Sequence, residues 1–202
     1  RLSPYLGNPR IAAFWLPRFE RFAQWFAETE PARRAFFDRT FAEITGQMVL
    51  DAPGGPFALT ARADRLDISS RAMAITDYKT GQVPSDKKVA EGKAPQLPLE
   101  AAIALAGGFE GIGVLPVSEL QYIRITGGTP PGEQHTAASE GVAELAAAQR
   151  RGLEALIALF DDPATAYSAR RRPGFNYDYD DYAHLARVGE WSGQSDTGET
   201  EA

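Results

Sequence analysis

From Ile11 to Glu28 apolar side chains recur at helical spacing, and Phe14, Trp15, Phe19, Phe22, Trp25 and Phe26 give the segment a broad aromatic face. Pro17 sits early enough to mark a first turn or a kink. Pro31 stands at an N1 position, so Ala32 to Glu43 reads as a second helix with Phe36, Phe37 and Phe41 on one side. Large apolar residues prefer burial, which places these aromatics in the core rather than on a base-stacking platform. Period two then takes over. Gly46 to Asp51 alternates weakly, Pro53-Gly54-Gly55-Pro56 signals a turn, and Phe57 to Ile68 alternates over a long stretch. A third strand, Ala72 to Tyr78, follows the Ser69-Ser70-Arg71 turn. Thr80 to Pro95 is rich in Gly, Pro and Lys and reads as a surface loop.

Gln96 to Ala106 is an Ala- and Leu-rich helix that stops at Gly107-Gly108. Glu119 to Ile125 returns to strand alternation and is closed by the turn signal Gly127 to Gly132. Ser139 to Phe160 is the longest helical pattern. The order helix, three meandering strands, helix, strand, helix predicts an α/β fold with a central mixed sheet flanked by helices. One domain is expected over residues 1–192, with N-terminal helices at 11–43, a core at 44–126 and a C-terminal helical part at 139–192. Residues 193–202 have the composition of a disordered tail.

Composition narrows the chemistry. The 202 residues are 44% hydrophobic and 24% charged, enough apolar material for a core, and no run of eighteen apolar residues exists to span a membrane. The chain opens with Arg1-Leu2-Ser3-Pro4, without a methionine or a signal-peptide pattern, and so reads as a piece of a longer protein. No cysteine is present, which excludes disulfides, thiolate zinc sites, iron–sulfur clusters and cysteine nucleophiles within these residues. The net charge of −6 argues at first against a polyanionic partner. Its distribution removes that argument: residues 1–175 hold 20 Lys and Arg against 20 Asp and Glu, and residues 176–202 hold one against seven.

The informative stretch is Arg62-Ala63-Asp64-Arg65-Leu66-Asp67, followed by Thr76-Asp77-Tyr78-Lys79-Thr80-Gly81. On a strand Asp77 and Lys79 point to the same face, and a short turn near Ser69 lets Asp64 stand beside them. Two carboxylates and an ammonium then converge. Hard carboxylate oxygens suit Mg²⁺ or Mn²⁺, and such an ion with a nearby ammonium suits phosphodiester hydrolysis. An exposed cross-strand ion pair is the competing reading of Asp77 and Lys79 taken alone. Asp64 on the preceding strand, the apolar flank of Asp77, and Gln96 at the start of the next helix favour a site.

These strings, together with Gln96-Leu97-Pro98-Leu99-Glu100-Ala101, resemble the RecB-like branch of the PD-(D/E)XK nuclease superfamily. Within it they most resemble the C-terminal nuclease domains of AddB-type subunits of the bacterial AddAB helicase–nucleases, which process DNA double-strand breaks. The resemblance implies that Asp64 and Asp77 bind the metal, that Lys79 is the catalytic lysine and that Gln96 completes the site. It further implies a cytoplasmic Mg²⁺-dependent, exonuclease-type deoxyribonuclease acting in repair and recombination on DNA, chiefly single strands, beside an AddA-like helicase–nuclease subunit. A catalytically inactive module that guides DNA or acts as a scaffold in the same assembly is the alternative. Glu43, at the expected junction of the second helix and first strand, matches an additional acidic residue only loosely. Glu100 stands where the family often has tyrosine, and reads either as a second acid near the site or, preferably, as a surface charge. Ala63 replaces the proline of the superfamily name.

Two basic groups are candidates for DNA contact. Lys87, Lys88 and Lys93 lie in the loop after the active-site strand, and Arg170, Arg171 and Arg172 stand near Phe175, Tyr177, Tyr179 and Tyr182. Solvated charge is the competing reading for both. His135, in a Gly- and Pro-rich loop, has no second ligand at metal spacing, His184 is expected on a surface helix, and neither receives a role. The absence of a phosphate-cradling Gly-x-x-x-x-Gly-Lys-Ser/Thr string leaves no motor chemistry within these residues.

Overall fold

A computed structural model describes residues 7–167. By its contacts the chain divides into a unit Arg1–Asp161 and a unit Asp162–Ala202. Of the second, the described residues form a turn in which Thr165 N–H donates to the Asp162 carbonyl. Arg170, Arg171, Arg172, their neighbouring aromatics, His184 and the C-terminal tail lie outside the described residues.

The first unit is built on five strands: β1 (Arg39–Leu50), β2 (Phe57–Ile68), β3 (Met73–Lys79), β4 (Val117–Ile125) and β5 (Gly132–Ala138). They lie side by side in chain order in one sheet. β1, β2 and β3 form an antiparallel meander, β3 and β4 run parallel, and β4 and β5 are antiparallel. A parallel step needs a crossover. The helices α2 (Asp86–Ala90) and α3 (Gln96–Leu105) fill that connection, and α1 (Pro9–Arg34) and α4 (Val142–Asp161) precede and follow the sheet. The expected mixed sheet flanked by helices is therefore the fold.

The expected pair of N-terminal helices is one helix running through both Pro17 and Pro31, and the segment from Arg39 to Glu43 is strand. Pro31 lies within the last turn of α1, so its missing N–H removes the bond to the Ala27 carbonyl close to where the helix ends. Beyond it, the ladder from Arg39 opposite Ile68 to Leu50 opposite Phe57 overrides the local helical pattern. Glu43 thus belongs to β1 itself, where its φ of 55° is the one positive value among the described non-glycine residues. The expectation that these aromatics are core fails for Phe14, Trp15 and Phe19 of α1 and for Phe36 after it, all more than half exposed. Arg18 and Arg21 donate to the carbonyls of Thr126 and Gly127 in the turn between β4 and β5, and Phe14 and Trp15 precede them.

Two elements escape the sequence pattern. α2 interrupts the expected loop, with Ser85 Oγ capping the Lys88 amide. β5 has the polar sequence Gly-Glu-Gln-His-Thr-Ala-Ala and is half-buried at the sheet edge, where no hydrophobic alternation is required. It approaches α1 so closely that a Cβ on Gly132 would lie 2.3 Å from the Trp25 ring. At the opposite edge the Gln47 amide donates to the Gly108 carbonyl, and a Cβ on Gly108 would lie 2.1 Å from the Gln47 carbonyl oxygen.

The core includes Leu50, Leu66, Met73, Ile75, Leu97, Ile103 and Leu120, all essentially inaccessible to water. α3 supplies much of it, since Leu97, Ala101, Ile103 and Ala104 are all buried. That near-complete burial fixes which side chains α3 turns toward β3.

Candidate active site

Alternation along β3 sends Met73, Ile75, Asp77 and Lys79 to one face. Parallel register then sets Asp77 beside Tyr122 and Lys79 beside Arg124 of β4. The β2–β3 ladder ends at Arg65 opposite Thr76, one residue short of the two aspartates. There the Asp64 carboxylate takes over from the backbone, its Oδ2 accepting from the Tyr78 amide at 2.9 Å. Strand register and a side-chain cap therefore hold Asp64 next to Asp77.

Asp77 is 3% exposed, an unusual position for a carboxylate. Lys79 Nζ lies 2.9 Å from its Oδ2 and donates to Oδ1 at 3.1 Å. Gln96, the first residue of α3, bridges the pair: its Nε2 donates to Asp77 Oδ1 at 2.6 Å and its Oε1 accepts from Lys79 Nζ at 2.9 Å. Four residues on, one helical turn along the same face, Glu100 Oε1 accepts from the same Nε2 at 3.2 Å. The preference for Glu100 as a surface charge is thus corrected, because it is 3% exposed. Its spacing from Gln96 carried that signal. Any side chain four residues after a glutamine that faces β3 also faces β3.

Electrostatics follow from this crowding. Burial raises the Asp77 pKa, the bond and charge of Lys79 oppose the rise, and the negative charge of Asp64 adds to it. Burial likewise pushes Glu100 up to about 7, against the Gln96 bond and with the charges of Asp77 and Asp64. Tyr122 rises to about 12, through burial and then the neighbouring carboxylates of Asp77 and Glu100. Two buried oxygens receive no hydrogen bond: Asp77 Oδ2, which has only its ion pair with Lys79, and Glu100 Oε2, which has no partner. Buried carboxylate oxygens left short of hydrogen-bond donors suit a hard cation. Among the described residues no group of three or more His, Cys, Asp or Glu side chains is arranged to hold a metal by itself. Mg²⁺ fits that limit, since it commonly takes one or two carboxylates and keeps water elsewhere.

The remaining sequence candidates stand outside this cluster. Glu43 pairs with Arg62 at 2.9 Å, both more than half exposed. Lys87 and Lys93 flank Glu91 at 3.8 and 2.6 Å, and Lys88 is exposed on α2. His135 Nε2 contacts Asp86 at 2.8 Å, joining β5 to α2.

The other face of β2 carries a buried network that sequence spacing did not reveal. Arg65 is held by Asp67 and by Glu30 of α1, each at 2.8 Å, and Arg33 of α1 reaches Asp67 at 2.9 Å. Thr40 donates to Asp67 at 2.7 Å, and Arg33 also bonds Gln121 and Thr76. Burial disfavours the Arg65 charge, yet its bonds to Glu30, Tyr78 and Asp67 outweigh burial and raise its pKa. α1 is thereby clamped to the strands that carry Asp64 and Asp77.

A family model described as the PD-(D/E)XK nuclease superfamily matches residues 4–173. An uncharacterised protein of Rickettsia typhi is 32% identical over 114 residues, 55% of this chain and 13% of the relative. Another from Rickettsia bellii is 32% identical over 96 residues, 47% of this chain and 12% of the relative. The chain thus spans about an eighth of the length of these relatives. One solved structure, that of SSO0001, is similar at 12% identity with a TM-score of 0.35, over 82% of this chain and 80% of that one. With its model matching from before α1 to beyond α4, and so across the strands that carry Asp64, Asp77 and Lys79, the chain belongs to the PD-(D/E)XK nuclease superfamily.

Proposed function

We propose that this chain is a Mg²⁺- or Mn²⁺-dependent deoxyribonuclease domain in which Asp64 and Asp77 hold the cation. One observation carries the reading. Asp77 is buried with an oxygen that has an ion pair to Lys79 but no hydrogen bond, between Asp64 on one side and Lys79 and Gln96 on the other. A bound divalent cation would supply activation of water and neutralisation of charge on the phosphoryl oxygens. The chain's own residues do the rest. Lys79, 30% exposed, keeps part of its ammonium open to substrate and can orient the attacking water or stabilise charge building on the phosphate. Gln96 fixes Lys79 and Asp77 relative to each other through its two amide ends. Tyr122, under Lys79 at 5.9 Å from ring centre to Nζ, floors the site and limits water on that side.

Lys87, Lys88 and Lys93, in the segment that follows β3, serve as DNA phosphate contacts in this reading. The closer assignment is an AddB-type domain that trims DNA, chiefly single strands, as an exonuclease in double-strand break repair beside an AddA-like helicase–nuclease. It is supported by Asp64-Arg65-Leu66-Asp67, Asp77-Tyr78-Lys79 and Gln96-Leu97-Pro98-Leu99. The test is release of nucleotides from labelled single-stranded DNA with Mg²⁺ or Mn²⁺. Activity in the parent chain that disappears in Asp77→Ala and Lys79→Ala supports the site. Equal activity in all three removes it, and an inert parent favours the scaffold role.

A further inference from the structure

Resting on the reading just given, we propose that Glu100 is a third acidic group of the cation site, a positioning residue that acts from behind Gln96 rather than as a direct ligand. Its placement is costly without such a role. α3 is otherwise apolar on its buried positions, with Leu97, Pro98, Ala101 and Ala102 around it. An alanine or leucine at position 100 would avoid the penalty of burying a carboxyl group. Glu100 forms none of the ion pairs among the described residues, and its single hydrogen bond comes from Gln96 Nε2 at 3.2 Å, leaving Oε2 unpartnered.

Two features aim this carboxylate at the cation. Gln96 Nε2 donates to Asp77 Oδ1 and Glu100 Oε1 together, so the two carboxylates face each other across one nitrogen. Holding that nitrogen from both sides also holds the opposite end of the amide on Lys79. Charge count agrees: when ionised, Asp64, Asp77 and Glu100 oppose the lone ammonium of Lys79, and the excess equals the charge of one divalent cation. Outer groups that orient ligands and balance charge change metal affinity by about 10–100-fold on mutation.

The test is calorimetric titration of Mn²⁺ into the 202-residue chain and three variants, without DNA. Glu100→Gln keeps shape and removes charge, and is expected to weaken Mn²⁺ binding about tenfold. Glu100→Asp retains the charge and should stay within about threefold of the parent. A loss below about fivefold in Glu100→Gln, or an equal loss in both Glu100 variants, overturns the proposal. Asp77→Asn separates the two levels. If it binds as the parent does, the cation site itself is wrong; if it loses binding while Glu100→Gln does not, only the role of Glu100 falls. Circular dichroism melts of each variant confirm that folded proteins are compared.

Discussion

Replacing Glu100 with glutamine should stabilise the cation-free protein at pH 8 and do nothing comparable at pH 5. The buried carboxyl titrates at about 7 in the folded chain, against an ordinary value of 4.5. Below pH 4.5 it is protonated in both folded and unfolded states. Between 4.5 and about 7 the folded state keeps a proton that the unfolded state has released, so stability falls as pH rises. Above 7 the loss is complete, at about 3 kcal/mol for that gap. Glutamine removes the loss but places an amide NH₂ where Oε2 now lacks a partner, which costs about 1 kcal/mol. A net gain of about 2 kcal/mol at pH 8 corresponds to roughly 4–8 °C in Tm for a chain of this size. Thermal unfolding in EDTA at pH 5 and pH 8 reads the difference directly. Equal Tm differences at both pH values, or a destabilised variant at pH 8, would refute the burial and charge assigned to this side chain.

Three further outcomes follow from the same geometry. Asp67→Ala leaves Arg33 and Arg65 buried opposite an empty position and should lower stability by about 3–5 kcal/mol in denaturant titration, while a change under about 1 kcal/mol would mean the network is solvated. Lys79→Met removes the cation that restrains the Asp77 pKa, so NMR titration should find the Asp77 carboxyl ionising at higher pH than in the parent; a fall would contradict the contact. Gly108→Ala forces a Cβ toward the Gln47 carbonyl and should cost about 1–3 kcal/mol, with an unchanged melt showing that the β1 edge yields freely.

The site strands were readable because two periodicities agreed. Phe57, Leu59, Ala61 and Ala63 alternate along the first part of β2, before burial becomes continuous from Arg65 to Ile68, and Asp77 and Lys79 are two apart, so their shared face followed from the pleat. Gln96 was readable as the first residue after a Pro-rich loop. Glu100 offered only its four-residue spacing from Gln96, since a lone glutamate in an Ala-rich helix resembles a solvent-facing charge until the helix is found to be buried nearly all round. The Arg33–Asp67–Arg65–Glu30 clamp pairs α1 with β2 across 34 and 35 positions, and no local pattern reports such pairing. β1 began earlier than its alternation implied because pairing with β2 decides its extent. β5 stayed hidden because an edge strand satisfies one neighbour and needs no apolar face on the other.

Anomalous diffraction from crystals of the chain grown with Mn²⁺ addresses the central claim most directly. The account predicts a single strong peak within bonding distance of the Asp64 and Asp77 carboxylates, with Lys79 beside it and Glu100 behind Gln96. A peak elsewhere, or none at Mn²⁺ concentrations that support cleavage, would contradict it.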